Sequence, residues 1–278
     1  MDRIAVRDLA KTFQLKPGQS VTVDGRSSDR VSVLGGVDLT IRRGEFVTLV
    51  GPSGSGKSVL LDVIAGLTEA TSGTAEIDGV SVTRPHPGTA YVFQQYALFP
   101  WRTALENVEY ALEVRGVGRK ERRERARAFL DLFGLRAFED RYPSQLSGGM
   151  QQRVAIARAL SNDPEVLLMD EPFAALDAQT RDILQSELLR IWEQIETTVV
   201  FVTHSIDEAV FLADRIVVMT ARPARVKEII EIDLPRPRDP ALRNGEAFTR
   251  YRARVWEALR DEVRKAQGDW SLAATHAH

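Results

Sequence analysis

Alternation of polar and apolar side chains opens the chain. Arg3-Ile-Ala-Val-Arg-Asp-Leu9 fits a half-buried strand leading to Lys11-Thr-Phe13. Residues 16–30 are polar and rich in turn formers, with Pro17, Gly18, Asp24 and Gly25 among them. Val21/Val23 and Val31/Val33 flank Asp24-Gly25 at period two, so both a hairpin extension and a disordered loop fit this stretch. Residues 37–41 alternate again, Arg42-Arg-Gly44 turns, and 45–50 form a mostly apolar run. Residues 59–65 then take helical spacing.

Further on, 73–79 read as a short strand ending in a turn, and 90–93 as a buried strand after the loop at 85–88. From 103 to 135 the pattern is helical and charged, and the run at 119–127 predicts a solvated helix face. Residues 98–160 therefore read as a helical insertion between two strands of the main sheet. The strand 166–169, helix 179–195, strand 198–203, helix 206–213 and strand 215–219 restore an α/β alternation. Such alternation predicts a mainly parallel sheet covered on both faces. Pro235, Pro237 and Pro240 break the pattern. Phe248, Tyr251, Val255, Leu259 and Val263 then fall near helical spacing, which predicts an amphipathic helix over 246–265 docked on the domain. The expected division is a domain over 1–235 and an extension over 236–278.

Composition narrows the class. An apolar fraction of 44% in 278 residues supports a substantial core without disulfides. The absence of cysteine excludes thiolate metal sites and fits a reducing compartment. A net charge of −2 gives no global reason to expect nucleic-acid binding. No stretch approaches the apolar length of a membrane span, and the start, Met1-Asp-Arg-Ile-Ala-Val-Arg7, lacks the apolar region of a signal peptide. The expectation is a soluble intracellular protein.

Between the run at 45–50 and the helix after it stands Gly51-Pro52-Ser53-Gly54-Ser55-Gly56-Lys57-Ser58, which fits G-x-x-x-x-G-K-[ST] in the required strand-to-helix context. Gly54 and Gly56 carry no Cβ to obstruct amides turning inward around a phosphate. The helix opening at Lys57 adds N–H groups and the positive end of its dipole. Lys57 is expected to reach the β- and γ-phosphates, and Ser58 to offer its hydroxyl to Mg²⁺. The strand at 166–169 runs into Asp170 and Glu171, placing carboxylates at its C-terminal edge, where α/β folds hold ligands. Asp170 is the candidate Mg²⁺ ligand, and Glu171 the group that orients and deprotonates an attacking water. Leu146-Ser147-Gly148-Gly149-Met150-Gln151-Gln152-Arg153 opens another helix and repeats the anion-binding physics of the first loop.

Two phosphate-binding ends nearly a hundred residues apart make the chain resemble the ATPase subunit of an ABC transporter, over roughly residues 2–235. The resemblance implies a P-loop NTPase fold with a mainly parallel sheet, an N-terminal antiparallel β subdomain and a helical subdomain. It implies ATP and Mg²⁺ as ligands. It also implies a head-to-tail homodimer, in which Ser147, Gly148, Gly149 and Gln151 of one copy close over ATP held by the loop of the other. Phe13 matches an aromatic that stacks on adenine, where the family more often has Tyr. Gln94 matches a glutamine that reaches Mg²⁺ and the water, Asp177 a loop crossing the dimer interface, and His204 a histidine contacting the γ-phosphate. Val59 replaces the usual Thr, and Ser58 already supplies the hydroxyl for Mg²⁺.

Tyr96-Ala-Leu-Phe-Pro-Trp101-Arg102 and Met219-Thr-Ala-Arg-Pro-Ala-Arg225 are similar to stretches of importer ATPases for nitrate, sulfonates and taurine, with Ala224 where Gly is usual. That likeness implies permease subunits as partners, a solute-binding protein acting indirectly, and a peripheral position on the cytoplasmic face of the inner membrane. The stretch at 96–101 would be partly core and would also floor a groove for a coupling helix. A non-transport ABC ATPase and a P-loop kinase are the alternatives. The first usually carries tandem cassettes, zinc-binding cysteines or long coiled coils, and the signature at 146–151 argues against the second.

Overall fold

The computed structural model describes residues 1–17, 20–23 and 26–274. Its elements begin with β1 (Asp2–Gln14), β2 (Val21–Val23), β3 (Arg26–Ser28), β4 (Arg30–Arg42), β5 (Phe46–Val50), α1 (Lys57–Ile64), β6 (Ser72–Ile77), β7 (Val80–Ser81) and β8 (Thr89–Val92). They continue with α2 (Ala104–Val114), α3 (Arg119–Leu132), α4 (Gly148–Leu160), β9 (Val166–Asp170), α5 (Ala178–Trp192) and β10 (Thr198–Val202). The last are α6 (Ile206–Leu212), β11 (Arg215–Met219), β12 (Val226–Glu231) and α7 (Glu246–Ala274). The chain forms two compact units, one from residues 1–86, 204–233 and 243 onward, the other from 87–203 and 234–242.

In the first unit β1 pairs antiparallel with β4 and with β6, in the order β4-β1-β6-β7. The alternation at its start buries Ile4, Val6 and Leu9. The strand outruns its expected end at Leu9, because pairing with β4 continues to Gln14↔Arg30. A hairpin does follow, but Val21–Val23 pairs with Arg26–Ser28, while Val31 pairs with Phe13. Period two marks a strand without naming its partner. The expected turn residues Gly18, Asp24 and Gly25 lie outside the described residues.

The same unit holds β5 and β11 in parallel, with β12 antiparallel to β11. Every residue of β5 and β11 is buried, which explains their continuous apolar runs. Asp214 fixes the start of β5: its Oδ2 accepts the Phe46 N–H at 2.9 Å, and its own N–H donates to the Phe46 carbonyl at 2.8 Å. Arg215 donates to both Glu45 oxygens at 3.0 and 3.1 Å and to the Thr40 carbonyl at 3.2 Å, and both side chains are buried. Removing one member of such a pair strands the other charge away from water. Arg215→Ala is therefore expected to lower stability by about 3–5 kcal/mol. Urea unfolding reads this directly, and a loss below about 1 kcal/mol would show that water or another cation takes over.

Helix α7 buries Phe248, Val255 and Leu259 and lies against α6, β11 and β12. It runs on to Ala274, beyond the expected 265. Glu262, also on its buried face, is reached by Lys227 Nζ at 3.0 Å, by Lys265 Nζ at 2.9 Å and by the Ala221 N–H at 3.1 Å. Burial would raise this carboxyl, yet those hydrogen bonds outweigh it and hold the pKa down to about 2.

The second unit is built on the parallel strands β10, β9 and β8, with Thr198 and Thr89 both in register with Val166. Strand β8 ends at Val92, and Phe93, expected inside a buried strand, is 42% exposed. Helix α2 starts on a capping box, Thr103 with Glu106, and buries Leu105, Val108 and Leu112. Helix α3 buries only Ala126 and Leu130, as its charged run predicts for a solvated helix. Among the described residues no helix is long and apolar enough to cross a membrane.

Candidate functional site

Strand β5 delivers the chain into a loop whose shape depends on glycine at two positions. Gly54 and Gly56 have φ of 72° and 100°. A Cβ on Gly56 would also lie 2.7 Å from Val33 Cγ1, so neither the backbone nor the space admits a side chain there. The Ser55 N–H donates to the Pro52 carbonyl at 3.2 Å, curling the loop, and Ser55 is buried. Gly56 is the N-cap of α1 and supplies no cap side chain, and no acidic residue stands in the first turn. The positive end of the helix therefore faces the loop without a carboxylate of its own to offset it.

Lys57 is 4% exposed and turned onto the loop. Its ammonium donates to the carbonyls of Gly51 and Pro52, both at 3.0 Å, and to Ser55 Oγ at 3.4 Å. Arg222, 168 residues away in sequence, donates from Nε and Nη2 to the Gly54 carbonyl at 3.1 and 2.8 Å. Nothing local to either stretch announces this contact, and the sequence reading missed it. His204 belongs to the same unit and is exposed. Phe13, near the end of β1, is 39% exposed with the Lys11 ammonium 4.8 Å from its ring centroid. Ser53 is exposed, while Ser58 and Val59 are half-buried.

The remaining expected residues lie in the second unit. Asp170 ends β9, and Glu171 follows with φ 45°, a conformation strained for a residue with a side chain. Its N–H is anchored on the Val202 carbonyl at 3.0 Å, and Gln94 Nε2 donates to its Oε2 at 3.4 Å. Gln94, just beyond the end of β8, and Glu171 are thus brought together.

Ser147 is the N-cap of α4, accepting the Met150 N–H on Oγ at 3.3 Å. Gln151 Nε2 folds back onto the Leu146 carbonyl at 3.1 Å, tying the helix to its own lead-in. Both signature glycines are set by close approach. A Cβ on Gly148 would be 2.8 Å from Tyr96 Oη, and one on Gly149 2.7 Å from Thr180 Cγ2. Asp177 has a local task that the sequence reading missed: it caps α5 by accepting the Thr180 N–H at 3.0 Å. The Thr180 amide and hydroxyl hold its carboxyl below the ordinary value. Asp177 standing immediately before the helical run is the signal that could have shown it.

In the stretch at 96–102, Phe99 packs edge-on to Tyr110, with centroids 4.6 Å apart, while Trp101 is 71% exposed. Arg102 donates to Glu113 at 2.7 Å and lies 4.8 Å from the Tyr110 centroid, so its cation is engaged within α2.

Known proteins resemble this arrangement over almost its whole length. The ABC transporter family pattern matches residues 34–174. An uncharacterised ABC transporter ATP-binding protein of Methanocaldococcus jannaschii is 53% identical over 265 residues, covering 95% of this chain and 98% of its own length. An aliphatic sulfonates import ATP-binding protein of Bacillus cereus is 43% identical over 252 residues, 91% of this chain and 94% of that one. Among solved structures, a dimeric ATP-binding cassette in a post-hydrolysis state with ADP and phosphate is 36% identical, with a TM-score of 0.71, and covers 84% of this chain and 100% of its own. The mixed antiparallel and parallel sheets, the phosphate loop and the helical signature are those of this fold, and the chain belongs to the ABC transporter family as one of its ATP-binding, ATP-hydrolysing subunits.

Proposed function

We propose that the chain powers an importer for a small solute of the sulfonate, taurine or nitrate kind, working as a homodimer beneath permease subunits that receive solute from a binding protein. The observation that carries this reading is a pair of glycine-rich helix N-termini in separate units, α1 behind residues 51–58 and α4 behind Ser147. Each end is an anion site of the same design. The dimeric cassette among the similar structures supports pairing one end with the other across two copies. The sulfonate importer relative supports the solute class, as do residues 96–102 and 219–225.

In this mechanism the loop amides and Lys57 grip the β- and γ-phosphates, and Phe13 stacks on the base. Glu171 orients water and accepts its proton, steadied by the Val202 carbonyl and Gln94 that already fix it. His204 contacts the γ-phosphate. Ser147, Gly148, Gly149 and Gln151 of the second copy meet charge on the transferring group, and Asp177 lies where the copies cross. Ser58, Gln94 and Asp170 would hold Mg²⁺. They offer hydroxyl, amide and carboxylate oxygens, the hard donors this ion selects. Bound there, it would neutralise charge on the transferring phosphoryl group. Loss of the bridging phosphate lets the halves part, and the closing stroke is what the permease feels at the cytoplasmic face of the membrane.

Uptake measurements test this reading. Deleting the protein from its own cells should abolish uptake of taurine, an alkanesulfonate or nitrate, and the parent chain should restore it where Glu171→Gln does not. Undiminished uptake of all three would overturn the solute class. A chain that hydrolyses ATP yet never purifies with a permease from solubilised membranes would overturn the importer.

A further inference from the structure

The phosphate loop is braced from outside by a device that its sequence motif does not contain. Gly54 is free to rotate its flanking peptides, since glycine imposes little preference of its own. In the peptide joining Gly54 to Ser55 the carbonyl and the N–H point in opposite directions. The Arg222 guanidinium holds that carbonyl with two hydrogen bonds, at 2.8 and 3.1 Å. The Ser55 N–H is thereby turned the other way, where it meets the Pro52 carbonyl at 3.2 Å. The approach is close: a Cβ on Gly54 would lie 3.2 Å from Arg222 Nη2.

Arg222 projects from a segment that is itself tied down. The Thr220 N–H donates to the Arg225 carbonyl at 3.0 Å, and the Arg225 N–H returns to Thr220 Oγ1 at 3.0 Å. Ala224 bridges to β4 through Val33 O at 2.8 Å and the Gly35 N–H at 2.9 Å, and it is fully buried. The residue just before Arg222 is anchored on α7, where the Ala221 N–H donates to Glu262 Oε2 at 3.1 Å. Glu262 is 2% exposed and ionised at neutral pH, held also by Lys227 and Lys265. A continuous chain of contacts therefore runs from the C-terminal helix through residues 221 and 222 to the turn that cradles phosphate.

We propose that Arg222 is a positioning residue for the phosphate loop, and that Glu262 sets Arg222, so that docking of the C-terminal helix tunes the grip on nucleotide. The proposal rests on the loop being the ATP site. A brace that preorganises the amides acts on ground state and transition state alike, so its loss raises KM and Kd while leaving kcat nearly unchanged.

The test uses the purified full chain and measures ATP affinity by equilibrium titration, alongside kcat and KM for phosphate release. Arg222→Ala should weaken ATP binding about tenfold, the scale of charge-assisted hydrogen bonds, with kcat within about twofold. Arg222→Lys, which can still donate to the Gly54 carbonyl, should stay within about threefold of the parent. Arg222→Met repeats the measurement if the alanine variant does not fold. Glu262→Ala should weaken binding about threefold on its own and add nothing once Arg222 is alanine. Unchanged affinity in Arg222→Ala, or a fall in kcat without loss of affinity, would overturn the positioning role. Additive effects in the double variant would overturn the link to α7. Failure of the parent chain to bind ATP would instead sink the assignment of the loop, and Lys57→Ala provides the comparison without a working loop.

Discussion

Glu171→Gln is expected to cut ATP turnover by about 10²–10³-fold while leaving ATP bound, the scale on which a general base acts. The reason lies in how little else the substitution changes. Glutamine keeps the length of the side chain, the anchor of the backbone N–H on the Val202 carbonyl and a partner for Gln94. What disappears is the carboxylate proposed to accept the water's proton. The strained φ of 45° belongs to the same logic, because a residue with a Cβ is held in this region only when its surroundings insist on it. Phosphate release measured on the full chain decides the matter. Turnover within about threefold of the parent would move the base to another residue.

Lys57→Ala should lose ATP affinity by about 100-fold or more, since the proposed contacts of its ammonium with two phosphates would contribute two charge-assisted bonds. The structure adds a second reason. The same ammonium ties the Gly51 and Pro52 carbonyls at 3.0 Å each, so its removal also slackens the start of the loop. Equilibrium titration with ATP reads the loss, and a melting curve checks that the fold survives. Affinity within about threefold of the parent would remove Lys57 from phosphate binding.

The two halves of this account were not equally legible in the sequence. Residues 51–58 and 146–151 announced themselves because glycine, lysine and capping serine act within a few residues of one another, between strand and helix. The same is true of Ser147 as the N-cap of α4. Partners across long separations were less visible. Val31 and Val33 alternate as a strand should, yet β4 pairs with β1 rather than with 21–23, since alternation carries no address. Phe93 looked buried by its type, but β8 is an end strand beside β9 alone, and the chain leaves it at Val92. Arg222 is the extreme case: its bonds go to a backbone carbonyl, which no side-chain pattern can encode.

The central claim is that the phosphate loop of one copy and the signature of another form one site. Light scattering on Glu171→Gln with saturating ATP and Mg²⁺ tests it most directly, because slow hydrolysis should trap the closed state. The account predicts a molar mass twice the 31.0 kDa of a single chain, falling back when ATP is removed. A mass that stays at 31.0 kDa with ATP bound would contradict it.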